Sequence, residues 1–548
     1  MSASQARPAP SAHAAPAEAF DAIIVGAGFS GLYQLHRLRD GLGLRAVVLE
    51  AGDGIGGTWY WNRYPGARCD SESYAYSYSF SKELEQEWEW SERYPEQPEI
   101  MRYLNHVADR FDLRRDIRLG TRVTAARFDG RENRWHVTTA QGGQLTAPFL
   151  ITAVGCLSTA NVPDIPGLES FAGEWYHTGQ WPRGGVDFTG KRVGQIGTGS
   201  TGIQAAPVIA AQAAHLTVFQ RTANYSIPAR NAPLTEEQKR HIKANYDEIR
   251  RITRASTNGH PFLISPRSAL EATPEEREAL YEAAWRHGGL QFRATFGDLL
   301  VDKAANDTAS DFIRDKIRGI VKDPEVAEKL VPLDHPFATK RPPIDTEYFE
   351  TFNRDNVLLV DVRADPIREI TPRGVRTRDH EYPLDIIVFA TGFDAMTGPL
   401  LAIDIRGEDG QSLREAWADG PRTYLGLQVA GFPNLFTITG PGSPSVLCNM
   451  PVAIEQHVDW VTDCIRHLRE NRLARIEATG AATDRWVAHV NEVADATLLP
   501  LAGSSWYLGA NVPGKPRVFM PYAGGMARYR TICDEVAAKG YEGFQLGA

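Results

Sequence analysis

Asp21-Ala-Ile-Ile-Val25, Gly26-Ala-Gly28-Phe-Ser30-Gly31 and, further on, Ala46-Val-Val-Leu49-Glu50 spell a buried strand, a glycine-rich turn and a second buried strand. Between turn and second strand, Leu32, Leu35 and Leu38 mark one side of a helix. This context turns a GxGxxG pattern into a dinucleotide-binding unit. Gly26 allows the tight turn, Gly28 lets the backbone approach a pyrophosphate, and Gly31 lets helix and strand pack closely. Unpaired N–H groups at the helix start then face the phosphates, beside Ser30.

The pattern recurs. Arg192-Val-Gly-Gln-Ile196 runs into Gly197-Thr198-Gly199-Ser200-Thr201-Gly202, a small-residue helix containing Gln204, and His215-Leu-Thr-Val-Phe219. The same 24 positions separate Gly26 from Glu50 and Gly197 from Arg221. The residue at that shared position differs. Glu50 accepts hydrogen bonds from ribose hydroxyls and repels a 2′-phosphate, whereas Arg221, with Thr222 beside it, attracts one. The first unit therefore suits FAD and the second NADPH. A chain with both is a flavin-dependent oxidoreductase. Its five cysteines, Cys69, Cys156, Cys448, Cys464 and Cys533, form no CxxC pair. Reduced flavin then passes its electrons elsewhere, and molecular oxygen is the obvious acceptor.

Composition agrees with that class. At 548 residues the chain is long enough for two or three domains, with 43% hydrophobic and 23% charged residues. A net charge of −9 argues against a nucleic-acid partner, and no apolar run reaches the length of a membrane span. Met1 to Ala19, rich in Ala, Pro and Ser, reads as a disordered leader without the apolar centre of a signal peptide. The scattered cysteines offer no metal site of local spacing and fit a reducing, cytoplasmic compartment.

Phe171-Ala-Gly173-Glu-Trp-Tyr-His177-Thr-Gly-Gln-Trp181-Pro182 narrows the chemistry. It resembles FxGxxxHxxxW(P/D), the fingerprint of type I Baeyer–Villiger monooxygenases. The longer family pattern is similar to Gly56-Gly57-Thr58-Trp59-Tyr60-Trp61 continuing through Tyr64-Pro-Gly66-Ala-Arg68-Cys69-Asp70, and Phe389-Ala-Thr391-Gly392-Phe393-Asp394 is a further shared motif. The resemblance spans nearly the whole chain after the leader. It looks closest to the phenylacetone and steroid monooxygenase branch, through Asn224-Tyr-Ser-Ile-Pro228 and Gly440-Pro-Gly-Ser-Pro-Ser-Val446.

The resemblance implies a set of site residues. FAD is expected to meet Gly57, Thr58, Trp59, Tyr60 and Trp61, then Asp70, Tyr76, Val123 and Met450, besides the first glycine turn and Glu50. NADP is expected to meet Arg68, the second glycine turn, Gln204, Arg221, Thr222, Lys340, Arg341 and Trp506. Cys156, Leu157, Ser445, Val446 and Leu447, again with Trp506, are expected to line the substrate pocket. Arg341, in Ala338-Thr339-Lys340-Arg341, is the expected catalytic cation, with Asp70 holding it by an ion pair. In this family a flavin C4a-peroxide anion attacks the ketone, so negative charge persists beside a fixed cation that stays protonated. His177 reads as structural, coupling domains rather than exchanging protons. Pro342-Pro343 departs from the related sequences, where aliphatic residues follow the arginine, and should stiffen the backbone after it.

The expected architecture is α/β, with two Rossmann-like dinucleotide domains, each discontinuous in sequence, plus a helical insertion. FAD-binding segments are expected at 20–155 and 392–548, NADP-binding segments at 156–233 and 336–391, and the insertion at 234–335. Thr235 with Gln238, and Thr273-Pro274 with Glu276, read as capping boxes within the insertion. Ser504 to Pro516, with its aromatic anchor and Gly/Pro punctuation, reads as a lid. The implied partners are O2 and a hydrophobic aromatic or alicyclic ketone, which becomes an ester or lactone. Neither nucleic acid nor membrane is expected, and the chain should be a monomer or weak homo-oligomer. The rival readings are an oxygenase for amines or sulfides and a non-catalytic redox-sensing flavoprotein.

Overall fold

The computed structural model describes residues 17–548. Ala22–Val25 is the central strand of a five-stranded parallel sheet. On one side lie Ala46–Leu49 and Ile117–Arg118, on the other Phe149–Thr152 and Leu435–Thr437. Every residue of Ala22–Val25, Ala46–Leu49 and Phe149–Thr152 is buried, as parallel strands covered on both faces must be. The helix Phe29–Leu42 packs against the long helix Met450–Glu470. The last third of the chain thus completes the fold that the first glycine turn begins.

Arg192–Ile196 is the centre of a second five-stranded parallel sheet. His215–Gln220 and Val357–Asp361 extend it on one side, Ile386–Phe389 and Glu174–His177 on the other. Four strands of the two sheets follow the same order from the centre outward, and only the edge strand beyond Phe149–Thr152 or Ile386–Phe389 differs in its place along the chain. Each nucleotide fold is accompanied by a separate sheet with an antiparallel meander, Val123–Ala147 beside the first and Ile367–Pro383 beside the second. The chain is therefore α/β with two Rossmann-like folds, each assembled from separated segments. The edge strand of the second is Glu174–His177, which precedes the fold's own central strand.

Between His215–Gln220 and Val357–Asp361, in the stretch expected as an insertion, lie helices Glu236–Ala244, Tyr246–Ala255, Pro274–His287, Lys303–Ile320 and Pro324–Leu330. Both capping boxes are present, the second with proline in the first turn. Phe292, Phe312, Ile313 and Phe337 pack in one core with Ile203, Ala206 and Val218 of the second fold. At the other end, Glu18–Ala19 pairs in parallel with Leu145–Thr146. Sheet pairing thus begins inside the stretch expected as leader, and residues 1–16 of that expectation lie outside the described residues. Among the described residues no helix is long and apolar enough to cross a membrane.

Candidate active site

Both glycine turns have the backbone that a bound pyrophosphate requires. Gly26 sits at φ +105° and Gly197 at φ +113°. A Cβ on Gly26 would fall 2.5 Å from the Ala153 carbonyl oxygen, and one on Gly197 would fall 2.3 Å from that of Ala390. Gly31 and Gly202 close against the Gly26 and Gly197 carbonyls in the same way. Neither helix that follows has a side-chain N-cap or an acidic residue in its first turn, whereas those beginning after Thr235, Thr273 and Asp302 are all capped. A Cβ on Gly199 would meet nothing within 4 Å. Open N–H groups at an uncapped helix start fit a diphosphate. Gly57 faces Gly28 across the first turn, where a Cβ would lie 2.8 Å from the Gly28 Cα.

Glu50 is buried, and its two carboxylate oxygens accept from the Ala27 and Gly52 N–H groups, each at 2.7 Å. Burial raises its pKa against those hydrogen bonds. At the matching position of the second fold Arg221 stands exposed, and Thr198 Oγ1 donates to the Thr222 carbonyl. Lys340 Nζ donates to Ser504 Oγ at 3.1 Å and is near enough to feel the charge at that corner. Burial lowers its pKa, and the Arg221 and Arg363 cations lower it further against Asp334. Arg363, which also donates to Thr222 Oγ1 at 3.0 Å, went unnoticed in the sequence. The signal was sheet order: Gln220 pairs with Asp361, so residues just beyond both strand ends lie side by side.

Arg341 and Asp70, 271 positions apart, form a two-pronged ion pair, Nε to Oδ2 at 2.9 Å and Nη2 to Oδ1 at 2.6 Å. The remaining Nη1 donates to the Val446 carbonyl at 2.9 Å. Burial opposes the charge on Arg341, but the Asp70 carboxylate outweighs it and the pKa rises. The backbone around Arg341 is held on both sides. Upstream, Asn306 binds both the N–H and the carbonyl of Phe337. Downstream, Pro343 accepts from the Ile227 N–H and leads into Ile344–Asp345, paired with Ile227–Pro228. The backbone on both sides of Arg341 and Pro342-Pro343 is thus tied to neighbouring segments.

The expected pocket residues Cys156, Leu157, Val446 and Leu447 share one apolar cluster with Met450 and Trp506, and Ser445 is buried beside Met396 of that cluster. Trp59 donates from Nε1 to the Tyr76 hydroxyl at 3.0 Å. Tyr60 meets Asp53 and Arg183, which ties the Thr58–Trp61 turn to the fingerprint at Pro182. Thr58 and Trp61 are in that turn, and Val123 is the buried first residue of its strand. Arg68 is engaged by Glu92, Glu96 and the Tyr94 carbonyl, while Gln204 donates to the Arg68 carbonyl and accepts from Tyr64. These last contacts join the two nucleotide folds. The expected lid is fastened to the Phe393-Asp394 motif: Lys515 binds Asp394 at 2.5 Å and Asn511 donates to the Phe393 carbonyl. Lys515 also escaped sequence reading.

His177 ends the edge strand of the second sheet and is 2% exposed. Its Nδ1 accepts from the Gly179 N–H at 3.0 Å, so the neutral ring carries its proton on Nε2. Burial pushes its pKa down to about 4. Phe171, Gly173 and Trp181 pack around this strand, with the Phe171 ring beside Gly173. A folded pKa below the unfolded one gives stability that is complete above about pH 6.5 and is lost as pH falls toward 4. His177→Asn should therefore flatten the stability profile by about 1.4 kcal/mol per pH unit in that window. Urea unfolding from pH 6.5 to 4.5 tests this, and an unchanged slope would contradict it.

Residues 23–260 match the family of pyridine nucleotide-disulphide oxidoreductases, although all five cysteines here are free and buried. The chain is 47% identical over 525 residues to a Baeyer-Villiger monooxygenase of Pseudooceanicola batsensis, covering 95% of each. It is 45% identical over 530 residues to a phenazine N-monooxygenase of Lysobacter antibioticus, covering 96% of this chain and 97% of that one. The solved structure of an oxidised steroid monooxygenase bound to NADP superposes with a TM-score of 0.92 and 55% identity, over 96% of this chain and 99% of the other. With its two nucleotide folds, its fingerprint strand and relatives matched along almost its whole length, the chain belongs to the Baeyer–Villiger monooxygenases, flavoenzymes that use FAD and NADPH.

Proposed function

We propose that the protein converts hydrophobic aromatic or alicyclic ketones to esters or lactones with O2 and NADPH, and oxidises sulfides as a secondary activity. FAD reduced by NADPH supplies the activated oxygen. The chain supplies the rest. The observation that carries the reading is the Arg341–Asp70 pair set beside the apolar cluster of Cys156, Leu157, Leu447 and Trp506. A permanent cation in a mostly apolar wall stabilises negative charge on a substrate oxygen and keeps water from competing. The buried cysteines take no part as nucleophiles: burial raises the Cys156 thiol to about 11 and the Cys448 thiol to about 12. Five free thiols also support a cytoplasmic location.

The phenazine relative supports a second reading, oxidation at nitrogen. Product analysis with a ketone, a sulfide and an aromatic N-heterocycle separates the two. Ester or lactone as the main product supports the ketone reading; rapid release of hydrogen peroxide with no ester or lactone from a broad ketone panel refutes it.

Arg221, Lys340, Thr222 and Arg363 form the proposed seat of the 2′-phosphate. Arg221→Ala should lower the kcat/KM preference for NADPH over NADH about 10- to 100-fold, the worth of a charge-assisted contact. Arg363→Ala should shift it in the same direction by less, because Asp334 already engages that guanidinium. A preference unchanged in both variants would remove this seat.

A further inference from the structure

The wall that faces Arg341 from the insertion is polar, unlike the rest of the pocket. Arg293 lies in the short turn Leu290–Ala294, and its Nη2 donates to Asn258 Oδ1 at 2.8 Å. That is its only protein acceptor among the described residues, where no carboxylate pairs with it, although a guanidinium carries five N–H donors. Burial, with the Arg341 cation nearby, lowers its pKa. Asn258 in turn donates to the Leu447 carbonyl at 2.6 Å, while Arg341 holds the Val446 carbonyl next to it. The two cations thus flank the same turn of the expected substrate loop. His260, 6% exposed and stacked on Phe262, leaves Nδ1 without a partner among the described residues. Burial and then Arg341 push its pKa down to about 3, so it adds a neutral polar atom and no third charge.

A half-buried guanidinium with spare donors and, among the described residues, no counter-ion is open to an acceptor from a ligand, which would replace water on those donors. We propose that Arg293, oriented by Asn258 and flanked by His260, recognises an acceptor oxygen that the ketone carries away from its reacting carbonyl, with a carboxylate as the strongest form. This rests on the ketone reading above. It makes the pocket selective for ketones with a second oxygen, where the apolar wall alone would prefer plain hydrocarbons.

The test uses holoenzyme with 4-acetylbenzoate, its methyl ester and 4-propylacetophenone. Ester formation is measured for wild type, R293L and R293K, and binding to the oxidised enzyme is followed by flavin absorbance. The carboxylate-to-propyl ratio of kcat/KM should fall about 10- to 100-fold in R293L, mainly through KM and Kd, and recover in part in R293K. An unchanged ratio, or a rise confined to the KM for NADPH, overturns the proposal. If wild type forms no ester from any of the three, the ketone reading fails, while carboxylate Kd values in wild type and R293L still decide whether Arg293 binds that group.

Discussion

Arg341→Ala should keep NADPH-dependent oxygen consumption but lower ester formation at least about 100- to 1000-fold, with the consumed oxygen appearing as hydrogen peroxide. The magnitude is that of removing one preorganised donor from a site of developing negative charge. The reasoning depends on geometry. Three N–H groups of this guanidinium are already directed, two to Asp70 and one to the Val446 carbonyl, which leaves its remaining donors and its full charge for a substrate oxygen. Arg341→Lys should restore little, because an ammonium cannot span the two Asp70 oxygens and the carbonyl at once. Product yield per NADPH consumed is the measurement. Full ester yield in Arg341→Ala would show that the cation is dispensable and would remove the basis of the mechanism.

The two nucleotide folds were legible because their signals are local. A strand, three glycines, a helix and a charged residue at a set distance all fall within about thirty residues, and the Glu50/Arg221 contrast needed no tertiary information. The edge strand Glu174–His177 was not legible. It pairs with Ile386–Phe389, 212 positions away, and parallel pairing of that span leaves no local mark. The same holds for Arg363, which reaches the Arg221 corner only through the order of strands, and for Lys515, whose partner Asp394 lies 121 positions away. Arg341 occupies an intermediate place: the residues alone show a basic pair before two prolines, and its role came from family resemblance. Arg293 and His260 lay in a stretch readable as capped helices and turns. What they face depends on how the insertion docks, and amphipathic spacing does not encode that.

Asp70→Ala should cost about 1–3 kcal/mol of stability, since it strands a part-buried guanidinium, and should lower ester formation nearly as far as Arg341→Ala does. Asp70→Asn preserves volume but not pairing: the amide oxygen accepts one Arg341 N–H, while the amide NH2 confronts the other donor. It should fall between wild type and Asp70→Ala in both stability and yield. The informative comparison is the double variant. If Asp70 acts only by positioning Arg341, Asp70→Ala in the Arg341→Ala background should change ester yield by less than about twofold, because coupled residues are non-additive. Its stability should exceed that of either single variant, for removing both charges leaves neither partner unpaired. Thermal unfolding of the four proteins, with ester yield measured on each, closes the cycle. A double variant with a further tenfold loss of yield would mean that Asp70 touches the reactants directly and is more than a support for the cation.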